Sequence, residues 1–383
     1  MPLNVLHLRA STGFGGAENI ILSICQNLDP QRFRLSILST FPNRYENSFL
    51  AAAAERLEIP YDTLRYSHRF SLTTIRDFLL YLQRRQIDIV HAHGYRENIL
   101  ACFAIYFKNV ATVSTTHGWI TDQVRKKIDL WALRPLHRIL AVSQTAYQEL
   151  LAYGFDKGKI VLLVNAVDVN RFRKLTVSSP LKNKFNVRNG DFVIGTAARL
   201  SPEKGIDDLL RAAVHVVRQC QNAKFLIVGD GPMREALEKL ADELGLKDSV
   251  RFAGYQDDLV AIYNLMDIYV SPSLQEEMPR SILEAAACER PMIATNVGAV
   301  SQVIKHGETG VLVPARQPQR LAEEILELFQ NRQLGEQYGQ NVRQWVSLKF
   351  SESEFMEKLA TIYEEVFAET RPKEKLKPHT QIN

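Results

Sequence analysis

Residues 192–219 carry the sequence FVIGTAARLSPEKGIDDLLRAAVHVVRQ, from which the fold expected for this chain can be argued. The first six residues form a short, mainly apolar run, typical of a strand that is buried on both faces. A turn follows from Arg199 to Gly205, and apolar residues then recur at helical spacing. A buried strand followed by a helix is the unit from which doubly wound parallel sheets are built.

The same alternation of strand and helix runs through both halves of the 383-residue chain. Because a single domain usually contains ~100–200 residues, two domains are expected. The predicted fold class is α/β, with two Rossmann-like domains that each contain a doubly wound parallel sheet. We expect an N-terminal domain at residues 1–170, a linker at 171–190, a C-terminal domain at 191–350, a helix at 351–370 that packs back on the first domain, and a flexible tail at 371–383.

The composition is that of a folded globular protein, with 46% hydrophobic and 23% charged residues. These values exclude disordered and fibrous classes. The longest apolar run, Ile99–Phe107, is too short for a membrane-spanning helix, which needs ~20 residues. The four cysteines lie far apart and the N-terminus shows no secretory leader. We therefore expect a cytoplasmic protein with reduced thiols.

Two loops at predicted strand ends have the chemistry of an anion site. Gly13 to Glu18 follow the first strand and open a helix, where the N–H groups near Gly15 and Gly16 could approach a phosphate. A plain tight turn explains these glycines equally well. Arg199 and Lys204 follow a later strand and could clamp a diphosphate, although surface cations are common.

Carboxylates and a histidine lie at two further strand ends. Glu276 precedes a helix that Pro279 starts, and Glu284 falls in the second turn of that helix among apolar residues. A buried carboxylate needs a partner, which a hydroxyl-rich ligand would supply, whereas a solvated acidic loop is the alternative for Glu276. His117 either faces a ligand cleft or is a satisfied core histidine. His91 and His93 are interpreted as packing residues rather than metal ligands.

Taken together, these motifs resemble the family-4 glycosyltransferases of the two-domain GT-B fold. The most specific element is the E-x7-E motif formed by Glu276 and Glu284, and the other motifs stand in the family's order. These are Gly15-Gly16-Ala17-Glu18, Asn165 with Asp168, Arg199 with Lys204-Gly205, Gly229-Asp230-Gly231-Pro232, Pro291, Thr295-Asn296-Val297-Gly298 and Gly307-Glu308-Thr309-Gly310.

The resemblance implies two domains that face each other across a cleft and a retaining, metal-independent transfer. A sugar would move from a UDP- or GDP-sugar to a glycan, glycolipid or other glycoconjugate, with no cofactor and no nucleic acid partner. Arg199 and Lys204 would neutralise the diphosphate, Glu284 would bind ribose and Glu276 would hold sugar hydroxyls. The implied donor-binding residues are Gly15, Gly16, Arg199, Lys204, Arg280, Ser281, Ile282 and Glu284, and the implied catalytic residues are Glu276 and His117.

Some positions depart from the family pattern, and the acceptor stays open. Glu277 replaces a glycine that is usual after the first motif glutamate, which leaves the preference for a donor sugar undecided. The segment Val124–Arg138 combines basic residues with Trp131 and other apolar residues. It predicts either peripheral contact with the inner face of an anionic membrane or an ordinary core-facing helix. A nucleotide-sugar epimerase of similar fold and a non-catalytic nucleotide-sugar-binding protein are the alternative functions.

Overall fold

The structure is a computed structural model that describes residues 1–10, 15–42, 49–66, 72–108, 110–117 and 122–371. The chain divides into two compact units. The first contains Met1–Ala141, Tyr147–Leu163 and the residues from Met356 onward, and the second contains Val142–Ala146 and Val164–Phe355. Each unit has a parallel sheet of its own.

The first unit is built on a seven-stranded parallel sheet with the strand order β3-β2-β1-β4-β5-β6-β7. Its strands are β1 (Leu3–Leu8), β2 (Phe33–Pro42), β3 (Tyr61–Tyr66), β4 (Ile89–Ala92), β5 (Ala111–Thr116), β6 (Arg138–Ala141) and β7 (Ile160–Leu162). The intervening helices are α1 (Gly16–Asn27), α2 (Phe49–Arg56), α3 (Leu72–Arg84), α4 (Tyr95–Lys108), α5 (Gln123–Leu133) and α6 (Gln144–Ala152). The strand order reverses between β1 and β4, which makes this gap a switch point of the sheet.

The second unit has a six-stranded parallel sheet with the order β10-β9-β8-β11-β12-β13. Its strands are β8 (Phe192–Ala197), β9 (Ala223–Val228), β10 (Val250–Gly254), β11 (Ile268–Ser271), β12 (Met292–Thr295) and β13 (Val311–Val313). The helices are α7 (Ser179–Lys184), α8 (Ile206–Gln219), α9 (Arg234–Glu243), α10 (Leu259–Leu265), α11 (Arg280–Ala287), α12 (Val300–Val303), α13 (Pro318–Gln330) and α14 (Arg332–Lys349). The short helix α7 lies within residues 171–190, the segment expected to be a linker.

Apart from the short helix α7, two elements are not predicted by the sequence pattern, namely β3 and α14. Among the described strands, β3 is an edge strand that pairs only with β2. Thr63 and Arg65 are exposed, so β3 lacks a continuous apolar run. α14 contains Gly335 and Gly339, and glycine lowers the expectation of a helix. A Cβ atom at Gly339 would lie 2.3 Å from the carbonyl oxygen of Glu289. The glycine therefore lets α14 pack closely on the chain before β12.

The C-terminal helix α15 (Glu352–Thr370) contributes to the core of the first unit from Met356 onward. Tyr363 is fully buried, and its ring contacts that of Phe33 at a centroid distance of 5.6 Å. Arg32 bonds to Glu364 at 3.0 Å, and Arg138 bonds to Glu369. The tail predicted at residues 371–383 lies, apart from Arg371, outside the described residues. No helix in the described ranges is long and apolar enough to cross a membrane.

Candidate active site

The loops that carry the second unit's predicted site leave the sheet at its switch point. From β8 the chain first adds β9 and β10 on one side and then returns to add β11, β12 and β13 on the other. Parallel doubly wound sheets bind ligands at such a point, outside the carboxyl ends of the strands. Arg199 and Lys204 follow β8, and Glu276 follows β11, which pairs directly with β8. The topology thus brings the predicted cations and carboxylate together.

Lys204 and Glu276 form the central ion pair of this site, although 71 residues separate them. Lys204 Nζ lies 2.7 Å from Glu276 Oε1, and the Glu276 side chain is only 8% exposed. The hydroxyl of Ser273 donates to the same oxygen at 2.7 Å. Arg199 is exposed on the same loop as Lys204. The site therefore contains a carboxylate of fixed orientation, the cation paired with it, and a second, exposed cation at Arg199.

Two glycines allow the backbones of these loops to approach each other closely. Gly205 has φ +59°, and a Cβ atom there would lie 2.2 Å from the carbonyl oxygen of Pro272. Gly298 has φ +53°, and a Cβ atom there would lie 1.6 Å from the carbonyl oxygen of Glu276. L side chains rarely adopt such φ values, and a Cβ atom would collide with the facing carbonyl oxygen, so both positions require glycine. The positions of Lys204 and Glu276 therefore depend on backbone packing between loops.

Glu284 has protein partners that the sequence pattern does not predict. It lies in the second turn of α11 and is 5% exposed. The hydroxyl of Tyr263 donates to Glu284 Oε2 at 2.9 Å, and Arg280 Nε donates to Oε1 at 3.4 Å. Burial, followed by the Glu284 charge, raises the pKa of Tyr263 well above its ordinary value, so the phenol stays a donor. Nothing in the helical pattern of α10 indicates that Tyr263 has this role.

The start of α11 adds backbone donors to the same loop. The helix begins at Arg280 after Pro279, and the N–H groups of the first helical residues, Ser281 and Ile282 among them, have no acceptor within a helix. Asn165 Nδ2 donates to the carbonyl oxygen of Met278 at 2.8 Å and holds the loop before the helix. The predicted donor-binding residues Arg280, Ser281, Ile282 and Glu284 thus lie on one short helix.

Glu277, the departure from the family pattern, has a hydroxyl partner. The hydroxyl of Ser143 donates to Glu277 Oε2 at 3.0 Å, and this hydroxyl also accepts from the N–H of Ala146 at 3.0 Å. Both Ser143 and Glu277 belong to the second unit. The carboxylate of Glu277, next to Glu276 in the sequence, is therefore held by a hydrogen bond within the second unit.

Three of the predicted residues, Gly15, Gly16 and His117, belong to the first unit. Helix α1 begins at Gly16, and Gly15 precedes it in an extended conformation. Glu18, in the first turn, is 3% exposed and pairs with Arg9 Nε at 2.8 Å. The other motif residues Gly13, Phe14, Gly118 and Trp119 lie outside the described residues.

His117 follows β5 and is half-buried at one end of a histidine cluster. His93 Nδ1 lies 2.7 Å from His117 Nε2, and His7 Nδ1 lies 2.8 Å from His93 Nε2. Burial lowers the pKa of His7 to about 3, and burial together with Arg9 and His7 lowers that of His117 to about 3. These imidazoles are therefore neutral at ordinary pH. Nothing in the apolar pattern of β1 indicates that His7 belongs to this cluster.

The chain matches two family models that together cover most of its length. The model for glycosyl transferases group 1 matches residues 178–345, and the model for Glycosyltransferase Family 4 matches residues 14–171. The first match includes the Lys204–Glu276 pair and the second includes His117.

Named relatives are about a quarter identical to this chain over the aligned residues. An alpha-D-kanosaminyltransferase from Streptomyces kanamyceticus is 27% identical over 64% of this chain and 65% of that protein, just under two thirds of its length. An N-acetyl-alpha-D-glucosaminyl L-malate synthase from Bacillus anthracis is 25% identical over 76% of this chain and 77% of that protein. Such relatives are named as enzymes that transfer sugars or build sugar conjugates.

Solved structures confirm the fold class expected from the sequence. Anabaena HepE, in complex with UDP and glucose, superposes with a TM-score of 0.84 at 22% identity, over 95% of this chain and 100% of that chain. A sucrose-phosphate synthase from Thermosynechococcus elongatus superposes with a TM-score of 0.81 at 19% identity, over 96% and 100%. At these identities the likeness shows the fold alone, which is the GT-B fold of two doubly wound domains.

Proposed function

The chain belongs to the family-4, group 1 glycosyltransferases, and on that premise we propose that it is a retaining, metal-independent hexosyltransferase. The donor is a nucleotide-diphosphate sugar carrying uridine or guanosine, and the acceptor is a glycan, glycolipid or other glycoconjugate. The observation that carries this proposal is the ion pair between Lys204 and Glu276 at the switch point of the second sheet.

The charges around this pair match those that develop when a sugar leaves a diphosphate. Negative charge grows on the leaving phosphate, and preorganised cations stabilise it in the transition state. Lys204 is held in place by Glu276, while the exposed Arg199 is available for a bidentate contact with phosphate oxygens. These two cations supply the charge that a divalent ion supplies in enzymes with an Asp-x-Asp motif, which this sequence lacks. This supports a reaction without a metal.

The remaining residues of the second unit suit the other parts of the donor. The N–H groups at the start of α11 suit the diphosphate, because a helix N-terminus favours anions. Glu284, which Tyr263 and Arg280 orient, is assigned to the ribose hydroxyls. Glu276 is assigned to the hydroxyls of the donor sugar. Retention of configuration, and the contributions of His117, Gly15 and Gly16, are proposed from the family resemblance.

The named complexes and relatives support both candidate bases. HepE was solved with UDP and with UDP-glucose, whereas a mannosyltransferase from Mycobacterium tuberculosis, 32% identical over 51% of this chain and 53% of that protein, is named as GDP-mannose-dependent. Neither base is therefore favoured by family membership alone.

A thermal-shift panel tests the donor site directly. We expect UDP or GDP, but not both and not ADP, to raise the melting temperature in buffer with EDTA by roughly 5 °C at 100 times Kd, since such binding adds ~2.7 kcal/mol of stability. Arg199→Ala should weaken this binding at least about 10-fold, because it removes a charge-assisted contact. Arg218→Ala, an exposed cation at the end of α8, is the matched control and should keep the shift. A shift that appears only with a divalent ion would overturn the metal-independent mechanism.

Helix α5 carries the observation that favours a lipid-linked acceptor. Val124, Ile128 and Trp131 recur at intervals of four and three residues and are 67%, 37% and 56% exposed. They therefore share one face of the helix instead of entering the core. Arg125 and Lys127 are exposed on the same helix. We propose that this face lies on an anionic membrane surface, where basic residues and an interfacial Trp both favour binding.

Vesicle flotation tests this surface. We expect the protein to float with phosphatidylglycerol vesicles and to remain unbound with phosphatidylcholine alone, because the attraction includes a charge contribution. Trp131→Ser should reduce the bound fraction about 10-fold. Leu348→Ser, which removes a 67% exposed apolar side chain from the second unit, should leave binding unchanged. Equal binding to both lipids, or equal loss in both variants, would argue against a specific membrane face.

A further inference from the structure

Three imidazoles of the first unit form one hydrogen-bonded chain. His7 lies in β1, His93 follows β4 and His117 follows β5, so the chain crosses the carboxyl ends of three neighbouring strands. Its two links measure 2.8 Å between His7 and His93 and 2.7 Å between His93 and His117. His7 and His93 have no exposed surface. The protons of the three rings are therefore coupled to one another and shielded from exchange at the buried end.

The central ring allows only two proton arrangements. A neutral imidazole has one N–H donor and one bare nitrogen that accepts. Because both nitrogens of His93 are engaged with histidines, His93 must donate to one neighbour and accept from the other. Either all donors point from His117 toward His7, or all point from His7 toward His117. The state of His7 Nε2 differs between the two arrangements.

His7 Nε2 distinguishes them because it is buried and, among the residues that the structure describes, has no hydrogen-bond partner. If the donors point toward His7, this nitrogen carries a hydrogen atom that finds no acceptor. Buried orphan N–H groups are rare, and unpaired acceptors are tolerated somewhat more often. The arrangement that leaves Nε2 bare has His7 Nδ1–H donating to His93 Nε2 and His93 Nδ1–H donating to His117 Nε2. In that arrangement the proton of His117 must reside on Nδ1.

We propose that His7 and His93 are positioning residues that hold His117 in the Nδ1–H tautomer. Within the described ranges no hydrogen bond is made by His117 Nδ1, so this donor is available to a ligand oxygen. The identity of the ligand atom that accepts from His117 Nδ1–H rests on the proposed function, in which His117 contacts the sugar or phosphate. A fixed donor suits a hydroxyl or phosphate oxygen, and it means that His117 does not remove a proton with Nδ1.

A metal site is the competing explanation for the cluster, since ligand atoms of His7, His91 and His93 lie within 4.8 Å of one another. His91 uses both ring nitrogens, Nδ1 with the hydroxyl of Tyr363 at 2.6 Å and Nε2 with that of Thr115 at 2.7 Å. His93 uses both of its nitrogens in the chain described above. As far as the described residues show, His7 Nε2 is the only ring nitrogen of the trio with a free lone pair. The trio therefore offers a metal one ligand and not three.

The tautomer can be measured without any substrate. We would label the protein with ring-15N histidine and record long-range proton–nitrogen correlations at pH 7.5, assigning His117 by its loss in His117→Gln. The expected spectrum shows a protonated Nδ1 and a bare Nε2 for His117. A protonated Nε2, a tautomer mixture, or one equivalent of bound metal in elemental analysis would overturn the proposal. The measurement uses no sugar nucleotide, so a result that contradicts the proposed tautomer would not by itself contradict the proposed function.

Two substitutions of His93 separate positioning from folding. The amide nitrogen of Asn reaches the place of Nδ1, so His93→Asn still donates to His117 Nε2 and should preserve the Nδ1–H signature. The amide of Gln reaches the place of Nε2, so His93→Gln leaves His117 without its donor and should give a tautomer mixture. Once the sugar-nucleotide substrate is identified, His93→Gln should have about 10-fold lower kcat than His93→Asn. Identical His117 spectra in the two variants would contradict the proposal even if both fold.

Discussion

Lys204→Met is expected to lower kcat for sugar transfer by about 10³. The ammonium group lies 2.7 Å from Glu276 Oε1, and the carboxylate is 8% exposed. Losing one preorganised group that stabilises charge in a transition state costs ~10²–10³ in rate. The substitution also leaves Glu276 without its cation, and an unpaired carboxylate in a largely buried place is unfavourable. Both effects act on the reacting centre, so the loss should appear in kcat more than in the KM for the donor.

Steady-state rates with the donor identified by the thermal-shift panel would measure this effect, either as transfer or as slow donor hydrolysis without acceptor. Lys239→Met is the matched control, since Lys239 on α9 is 79% exposed and its contact with Glu243 is 3.7 Å long. The control should retain full activity. If Lys204→Met kept more than a tenth of the wild-type kcat, Lys204 would have no part in stabilising the leaving group.

Gly298→Ala is expected to reduce kcat about 10²-fold and to lower the melting temperature by several degrees. A Cβ atom at this position would lie 1.6 Å from the carbonyl oxygen of Glu276, so the loop that carries Glu276 must move. The backbone is also left-handed, with φ +53°, which costs a non-glycine residue ~1 kcal/mol or more. A displacement of about 1 Å at a residue that orients the substrate is enough for a loss of this size.

Gly245→Ala separates the two causes, because Gly245 has φ +72° but open space around its Cβ position. It should show the cost of the left-handed backbone in its melting temperature and leave kcat unchanged. Activity and thermal melts of both variants give the comparison. Equal kcat in the two variants would show that the contact between Gly298 and Glu276 does not position the carboxylate.

Much of the fold can be predicted from local patterns in the sequence. Buried strands such as β8 appear as short apolar runs because both of their faces are covered, and β8 is fully buried. Pro279 indicates the start of α11 because its φ suits a first helical turn. The strand and helix alternation therefore predicts two doubly wound domains, and the family motifs predict that Lys204, Glu276 and Glu284 belong to the site. Strand β3 and helix α14 are not predicted, because an edge strand and a glycine-containing helix lack those local signals.

The fold class, the family and the residue types expected at the site follow from the sequence, because they depend on local pattern and on ordered motifs. Which side chains meet depends on the tertiary structure. Lys204 reaches Glu276 because β8 and β11 are neighbours, and Glu284 bonds to Tyr263 because α10 and α11 pack together. The histidine chain exists because β1, β4 and β5 lie side by side although their histidines are far apart in sequence. Such pairings follow from strand order and closely packed backbones, which no local stretch of sequence specifies.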